Sequence, residues 1–402
     1  MGAFFSSERF GKPQILAGIL LLIFAGQCAW LVSHETPAAI SQDEFERLAE
    51  GLAQWHGRGI AGTPVAPSLS AGLVEETGSR FDPNHSALWY LVASAPVAVF
   101  NVPPEHRFWP WLTRAPYVVF GTLLGASLWY VSRRLYGNAG GFIALGLYCF
   151  SPTVIRNTTL WFSPPSIGAS WGTFGAVFTA IAVSHTLYAP REVVLWNWRR
   201  TILLGVSLAL AIGSHFALII VLPVLLVFMF YLAPNRKLAA ATILGAAFLI
   251  AVLLLFTSYF FHVRIFAEAF RHAQFVGGSW FALGMPGAYL QVVKEIAASG
   301  PVLIVLIPIA LGLFVSWRRA RYFGNIAPLI MAILFLVLRL LSPHDSGSIF
   351  MLCATTFLFV FVAGIAADLL ETRAREPVLA AIAGLLVANA LWNLIVLARV
   401  SA

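Results

Sequence analysis

Apolar runs recur along this chain, separated by short polar segments that carry most of its charge. Most runs are about 17 to 25 residues long, the length that an α-helix needs to cross the hydrocarbon of a bilayer. Strands of a membrane barrel would instead alternate apolar and polar residues. The runs lie near residues 15–32, 115–132, 140–156, 166–187, 201–214, 216–233, 238–261, 301–317, 324–341, 348–369 and 378–399. They predict an all-α fold, a polytopic transmembrane helical bundle of about eleven spans.

The composition agrees with a protein whose solvent is lipid. Of the 402 residues, 59% are hydrophobic and 10% are charged, whereas an ordinary soluble domain has about 25% charged residues. Cys28, Cys149 and Cys353 all lie inside apolar runs, which favours small core side chains over a disulfide or a metal site. The formal charge of +8 comes from short basic clusters between runs. No basic aromatic face is present, so we expect the lipid bilayer and not nucleic acid as a partner.

Clusters of Lys and Arg mark the cytoplasmic loops of a membrane protein. They lie at Arg9–Lys12, Arg133–Arg134, Arg191–Arg200, Arg236–Lys237, Arg318–Arg321 and Arg373–Arg375. This pattern predicts a cytoplasmic N-terminus, a first run retained as a span, and the remaining large loops on the outer side. Such a topology suits a bacterial inner membrane with the functional site on its periplasmic face.

Two outer loops are large, at residues 34–85 and 262–300, and loops of that length are usually functional. Residues 86–102 form a further apolar stretch, interrupted by Pro96 and followed by Pro103–Pro104. A crossing there would place Arg133–Arg134 outside and reverse every later cluster, so we interpret it as a helix in the outer membrane interface. With no linker of low complexity, residues 1–402 are predicted to form one transmembrane domain.

The first outer loop contains the most suggestive acidic residues. An amphipathic helix begins near Ser41, with Phe45, Leu48, Ala49, Leu52 and Ala53 at helical spacing, and its apolar side can lie on the membrane surface. Ser41 and Glu44 form a capping box, which gives Glu44 a structural role. Asp43 is favoured there by the helix dipole. A carboxylate at this position could also take a proton from an attacking hydroxyl or amine.

Several cationic or polar side chains lie near the outer surface. His85 follows Asp82 where the first loop re-enters the interface, and it could simply be an interface histidine. Arg339 falls within a span, and a buried arginine points to function unless it reaches the interface. The further candidates for stabilising a phosphate leaving group are Arg156, His215 and His344, the last beside Asp345.

An acidic pair after the first span, Asp43-Glu44, is followed by a His-x-x-Leu-aromatic-Tyr motif at residues 85–90. This order resembles that of the GT-C glycosyltransferases, most of all the branch containing the protein O-mannosyltransferases and lipid A aminoarabinose transferase. Similar short motifs continue in sequence at Arg114, Arg133–Gly137, Ser151–Arg156, Gly205–His215 and Pro286–Tyr289, the last before Gly300-Pro301. Each motif is short, so their order and spacing carry the resemblance.

The resemblance implies a glycosyltransferase that moves a sugar from a polyprenyl-phosphate donor to a lipid, glycan or protein acceptor on the outer face, usually with inversion. It implies that Asp43 is the catalytic base or acceptor-orienting group, with Glu44 as its structural partner. It also implies that His85 lies near the carrier phosphate. Three features depart from the family: Ser86-Ala87 replaces two prolines, Ser163 replaces a common Asp, and His215 replaces a common Lys.

The chain has no metal-ligand spacing among its histidines and no phosphate-binding glycine loop with a lysine. We therefore expect no cofactor, with a divalent cation held by Asp43, Asp82 and Glu75–Glu76 as the weaker alternative.

Two other functions remain open. A transporter or flippase for lipid-linked or small solutes would explain the spans and the buried arginine, although it predicts broken helices and a midplane site. A catalytically silent relative of the GT-C enzymes would explain the replacement at Ser163.

Overall fold

A computed structural model describes residues 12–34, 42–58, 82–102, 106, 108–159, 166–188, 197–275, 278–342 and 347–400, with the backbone alone at residues 12, 42–47, 347–348 and 400. The described part is helical and contains no strand, which confirms the all-α prediction. Its helices in chain order are α1 (Lys12–His34), α2 (Gln42–Trp55), α3 (Ala87–Phe100), α4 (Trp109–Cys149), α5 (Pro152–Thr159), α6 (Ser166–Thr186), α7 (Trp198–Ser214), α8 (Val221–Leu232), α9 (Lys237–Ser258), α10 (Val263–His272), α11 (Pro286–Ser299), α12 (Leu303–Ser316), α13 (Phe323–Leu341), α14 (Gly347–Leu370) and α15 (Arg375–Val400). Short 3₁₀ turns lie at Phe216–Ile220, Pro234–Arg236, Trp280–Gly284 and Arg318–Ala320.

Within the described ranges, seven helices are long and apolar enough to cross a bilayer: α1, α4, α6, α9, α13, α14 and α15. An eighth span results if α11 and α12, which meet at 107°, count as one. The chain is therefore an integral, multi-pass membrane protein. The predicted number of eleven is not confirmed.

The difference in span number arises at four of the predicted runs. The run at 115–132 and most of the run at 140–156 lie in the two halves of α4, which are separate helices that meet at Gly137, where the backbone is not helical and φ is 75°. That left-handed conformation suits glycine because it has no Cβ. The runs at 201–214 and 216–233 form α7, with 17 residues, and α8, with 12 residues after a 3₁₀ turn. At 1.5 Å per residue, α8 is only about 18 Å long.

The chain folds into two compact units, each assembled from separate stretches. The first unit comprises Met1–Thr36, Tyr117–Ile167 and Gly278–Ala402. The second unit comprises Pro37–Pro116 and Gly168–Gly277. The interpretation of residues 1–402 as one transmembrane domain stays a prediction.

The first unit is built around α14, in which residues 349–367 are all buried. A helix that is apolar on every side must be covered on every side. Its closest packing is with α13, where the rings of Phe335 and Phe357 stack with centroids 6.0 Å apart. This central helix fixes the position of α13 and hence of Arg339 in its last turn.

A break between α4 and α5 leaves backbone carbonyls at the end of α4 without helical partners. Side-chain amides from two other helices supply the missing donors. Gln27 of α1 donates to the carbonyl of Cys149 at 3.1 Å, and Asn389 of α15 donates to that of Phe150 at 3.0 Å. Asn393 in turn donates to the side-chain oxygen of Gln27. These bonds join α1, α4 and α15 within the first unit.

In the second unit, α7 packs along α9, and α2 packs along α3. The side of α2 that carries Leu48 and Gln54, each 1% exposed, lies against protein. Gln54 donates to the carbonyl of Ser258, and Trp55 donates to that of Leu91 at 3.0 Å. The amphipathic pattern therefore reflects packing on α3 and α9 in this unit. The location of α3 in the outer interface stays a prediction.

Candidate functional site

The predicted site residues that the structure describes fall into two groups. His85 and His215 belong to the second unit, and Arg339 and Arg156 belong to the first. Asp43 and Glu44 lie in the first turn of α2, but their side chains are outside the described residues, as are His344, Asp345 and Ser163. Each group is built from its own local contacts.

The chain that enters α3 folds around the carboxylate of Asp82. One oxygen, Oδ1, accepts hydrogen bonds from the backbone N–H of Asn84 at 2.8 Å and of His85 at 3.1 Å. The other oxygen, Oδ2, accepts from the hydroxyl of Tyr90 at 2.7 Å and lies 2.8 Å from Nδ1 of His85. The side chains of His85 and Asp82 are 11% and 14% exposed. The segment at residues 82–90 thus forms a shielded, locally closed network.

The charge state of Asp82 follows from these contacts. Burial alone would raise the pKa of the Asp82 carboxyl. This effect is outweighed by the charge and the hydrogen bond of His85 and by the hydrogen bonds from Asn84 and Tyr90. Together these contacts hold the pKa of Asp82 well below its usual range. The carboxylate is therefore ionised at any physiological pH. An ionised carboxylate can only accept hydrogen bonds.

Backbone hydrogen bonds fasten this segment to the turn that follows α7. The N–H and the Oγ of Ser86 both donate to the carbonyl of Gly213, at 3.0 and 2.9 Å. The N–H of Phe216 donates to the carbonyl of Asn84 at 2.9 Å. The departure from the family at Ser86 thus supplies a hydroxyl that a proline could not.

His215 occupies the turn between α7 and the following 3₁₀ segment and is 3% exposed. Burial lowers the pKa of His215 to about 3; the charge of His85 adds to this effect and that of Asp82 opposes it. The ring is therefore neutral at neutral pH. Its Nδ1 accepts a hydrogen bond from the N–H of Ala217 at 3.2 Å, so the single ring proton is on Nε2.

The rings of His85 and His215 meet edge to face, with centroids 5.8 Å apart and planes at 85°. The pair combines a neutral imidazole with an imidazole that an ionised carboxylate contacts directly. Such a pair can present N–H donors to an anion, with Asp82 compensating positive charge on His85. The structure therefore brings together two residues that are 130 positions apart in the chain.

In the first unit, Arg339 is 6% exposed and is neutralised by Glu295 of α11. Its Nε donates to Oε2 of Glu295 at 2.8 Å, and Nη2 donates to Oε1. Nη1 donates to the carbonyl of Ser342 at 2.8 Å, just beyond the end of α13. These bonds give the buried arginine a structural role. Its predicted role as a phosphate ligand is untested.

Arg156 lies in the last turn of α5 and is exposed. A cation in the last turn of a helix is favoured by the helix dipole, so its position has a structural explanation as well. Its predicted contact with phosphate also stays a prediction.

Among the described residues, no group of three or more His, Cys, Asp and Glu side chains is placed to hold a metal ion. Of the carboxylates considered for a divalent cation, Glu75–Glu76 and the side chain of Asp43 lie outside the described residues. Both oxygens of Asp82 already accept hydrogen bonds. The expectation of no cofactor stays a prediction.

Sequence reasoning considered Asp82 only as a possible cation ligand and did not consider Glu295, although these two carboxylates organise the two groups. Asp82 precedes His85 by three residues and Tyr90 by eight, a local spacing that could have indicated the network. Glu295 is 44 residues from Arg339. The only signal for it was that a buried arginine requires an acidic partner.

No family model and no curated protein sequence match this chain. Solved structures of the oligosaccharyltransferase of Archaeoglobus fulgidus do match it. The apo form has a TM-score of 0.59 at 12% identity, and the same enzyme, AglB, in complex with an inhibitory peptide and a dolichol-phosphate has a TM-score of 0.61 at 13% identity. Both matches cover 96% of this chain and 56% of the other.

The chain has a GT-C fold. It spans a little over half the length of these oligosaccharyltransferases. The GT-C resemblance of the sequence is thus confirmed at the level of the fold. The branch of the protein O-mannosyltransferases and lipid A aminoarabinose transferase is not confirmed.

Proposed function

We propose that this protein is a membrane glycosyltransferase that transfers a sugar from a polyprenyl-phosphate donor to an acceptor on the outer face of the membrane, with inversion. The observation that carries the proposal is the fold shared with AglB over 96% of this chain, because one AglB structure contains a dolichol-phosphate. A dolichol-phosphate is a polyprenyl-type carrier phosphate, the class of group that the sequence motifs imply. Another structure of that enzyme holds an acceptor peptide, which supports a protein among the possible acceptors.

The roles of individual residues follow from chemistry. Asp43, in the first turn of α2, would act as the base or orienting group for the acceptor, as the resemblance implies. The His85–His215 pair would donate hydrogen bonds to the carrier phosphate, whose charge grows as the bond to the sugar breaks. Positioning and charge stabilisation would supply most of the rate enhancement.

Turnover of a lipid-linked donor tests the proposal. The full chain in nanodiscs would be incubated with radiolabelled polyprenyl-phosphate sugars and a membrane extract as the source of acceptor. We expect release of free polyprenyl phosphate from at least one donor. Asp43→Asn should reduce that rate by about 10²- to 10⁴-fold, the usual contribution of general acid–base catalysis.

Glu46→Gln is the matched control, because it changes the same functional group one helical turn further along α2. It should retain the wild-type rate. If Asp43→Asn turns over as fast as Glu46→Gln, the base lies elsewhere. If no donor is consumed under conditions in which an oligosaccharyltransferase consumes its own donor, the glycosyltransferase proposal is wrong and a transporter or silent relative becomes the better account.

A further inference from the structure

The network around Asp82 determines which nitrogen of His85 carries a proton. Nδ1 of His85 lies 2.8 Å from Oδ2 of Asp82, an oxygen that can only accept. Nδ1 must therefore be the donor. In the part of the chain that the structure describes, no residue hydrogen-bonds to Nε2 of His85. Nε2 is consequently the nitrogen available to a ligand.

The carboxylate that sets this arrangement is itself immobilised. Its Oδ1 is held by two backbone N–H groups and its Oδ2 by the hydroxyl of Tyr90, so it cannot rotate without breaking bonds. The backbone on either side is also fixed: the carbonyl of Pro83 accepts from the N–H of Gln274 at 2.7 Å, and that of Asn84 accepts from Phe216. Asp82 does not cap α3, whose N-cap is Ser86; its oxygens bind the loop before the helix and the ring of His85.

We propose that Asp82 is the positioning residue for His85. It would hold Nδ1 as a donor and orient the ring so that Nε2 faces the carrier phosphate, and its carboxylate would offset the positive charge that the ring carries once Nε2 also bears a proton and donates it in a hydrogen bond to the phosphate. This inference rests on the proposed function for its ligand. Asp82 itself does not touch the substrate. The fixed carboxylate would stabilise the doubly protonated ring of His85 as negative charge develops on the phosphate, and a charge-assisted hydrogen bond is about twice as strong as a neutral one.

The hydrogen bonds predict what an isosteric substitution does. In Asp82→Asn the two backbone N–H groups still require an acceptor at the Oδ1 position, so the amide oxygen takes that place. The amide nitrogen then occupies the position of Oδ2 and points its N–H groups at His85 and Tyr90. Nδ1 of His85 becomes an acceptor, and the ring proton moves to Nε2. The ring also loses its countercharge.

Two readouts on the full chain in nanodiscs test this. In ¹⁵N-histidine spectra, with the His85 signal assigned by its loss in His85→Gln, the wild type should carry a proton on Nδ1. Asp82→Asn should carry it on Nε2 alone. In the donor-turnover assay, Asp82→Asn should lower kcat by at least about tenfold with a smaller change in the donor KM, because the charge on phosphate develops in the transition state.

Glu268→Gln is the control, since it neutralises an exposed carboxylate in the same unit on α10. It should leave both the His85 signal and kcat unchanged. A wild-type spectrum with Nδ1 unprotonated would overturn the inference without any variant. An Asp82→Asn protein with the same kcat as Glu268→Gln would also overturn the inference. A wild type that consumes no donor would instead overturn the proposed function and the phosphate contact, while the spectra would still decide whether Asp82 sets the tautomer of His85.

Discussion

His215 illustrates how burial at a single residue couples protonation to folding. The unfolded chain binds a proton at this histidine near its ordinary pKa of 6.5, whereas the folded protein does so only near 3. The unfolded state therefore holds more protons between these values, and stability falls as the pH drops from about 6.5 towards 3. Asp82 acts in the same direction but only below its ordinary pKa of 3.8, where its carboxylate becomes protonated on unfolding.

We expect thermal unfolding midpoints in detergent to fall between about pH 7.5 and 4.5, a range in which His215 contributes and Asp82 does not. His215→Gln should show a smaller fall, because it removes the group whose unfolded form takes up the proton. Equal pH dependence in the two proteins would show that His215 is not responsible.

The ion pair of Arg339 with Glu295 is a second feature at the residue scale. Glu295→Gln would leave a guanidinium that is 6% exposed without its counter-ion. Breaking a buried pair from one side costs about 3 kcal/mol or more. We expect a clearly lower unfolding midpoint for Glu295→Gln in detergent.

The double variant Arg339→Met with Glu295→Met should recover most of the midpoint that Glu295→Gln loses, because apolar groups of similar volume often replace a buried pair without loss. A double variant as unstable as the single one would mean that Arg339 is needed for something other than charge compensation. The hydrogen bond to the carbonyl of Ser342 would then be the first candidate.

At the element scale, apolar runs predict the helices well, because length and hydrophobicity alone determine what lipid accepts. They predict less well where one helix ends and how two helices meet. Nothing in the run at 115–132 indicates how sharply the two halves of α4 turn at Gly137, since that depends on how the two segments pack. The contact between His85 and His215 depends on α3 meeting the end of α7, a tertiary arrangement that local periodicity does not encode.

The approach of α6 to α7 gives a prediction at this scale. A Cβ on Gly172 would lie 2.5 Å from the backbone nitrogen of Ala211 and 2.8 Å from the carbonyl oxygen of Ser207. Backbone atoms cannot move aside as flexible side chains can, so Gly172→Ala must push α7 away. Overpacking of this kind costs about 1 to 3 kcal/mol.

Gly172→Ala should lower the unfolding midpoint and, because His215 directly follows the last residue of α7, reduce donor turnover as well. Gly245→Ala in α9 is the control, since a Cβ there meets no atom within 4 Å. A Gly172→Ala protein as stable and active as Gly245→Ala would mean that the two helices are further apart than this structure places them.

At the scale of the whole molecule, the basic clusters predict which side of the membrane each loop faces. The native cysteines Cys28, Cys149 and Cys353 are buried, so an introduced cysteine can report accessibility. In right-side-out vesicles, an impermeant maleimide should label Phe281→Cys, at a position that is 84% exposed in the second outer loop. It should label Arg236→Cys only after permeabilisation. The reverse pattern would contradict the predicted orientation.

The central claim is that this GT-C fold breaks the bond between a sugar and its carrier phosphate. The most direct measurement follows the chemical fate of a polyprenyl-phosphate sugar, labelled separately in sugar and lipid, in proteoliposomes of the full chain with acceptor extract on the outer side. The account predicts that sugar label appears in acceptor while lipid label appears as free polyprenyl phosphate in equal amount. Intact donor that merely changes leaflet, with both labels still in one molecule, would contradict it and favour a flippase.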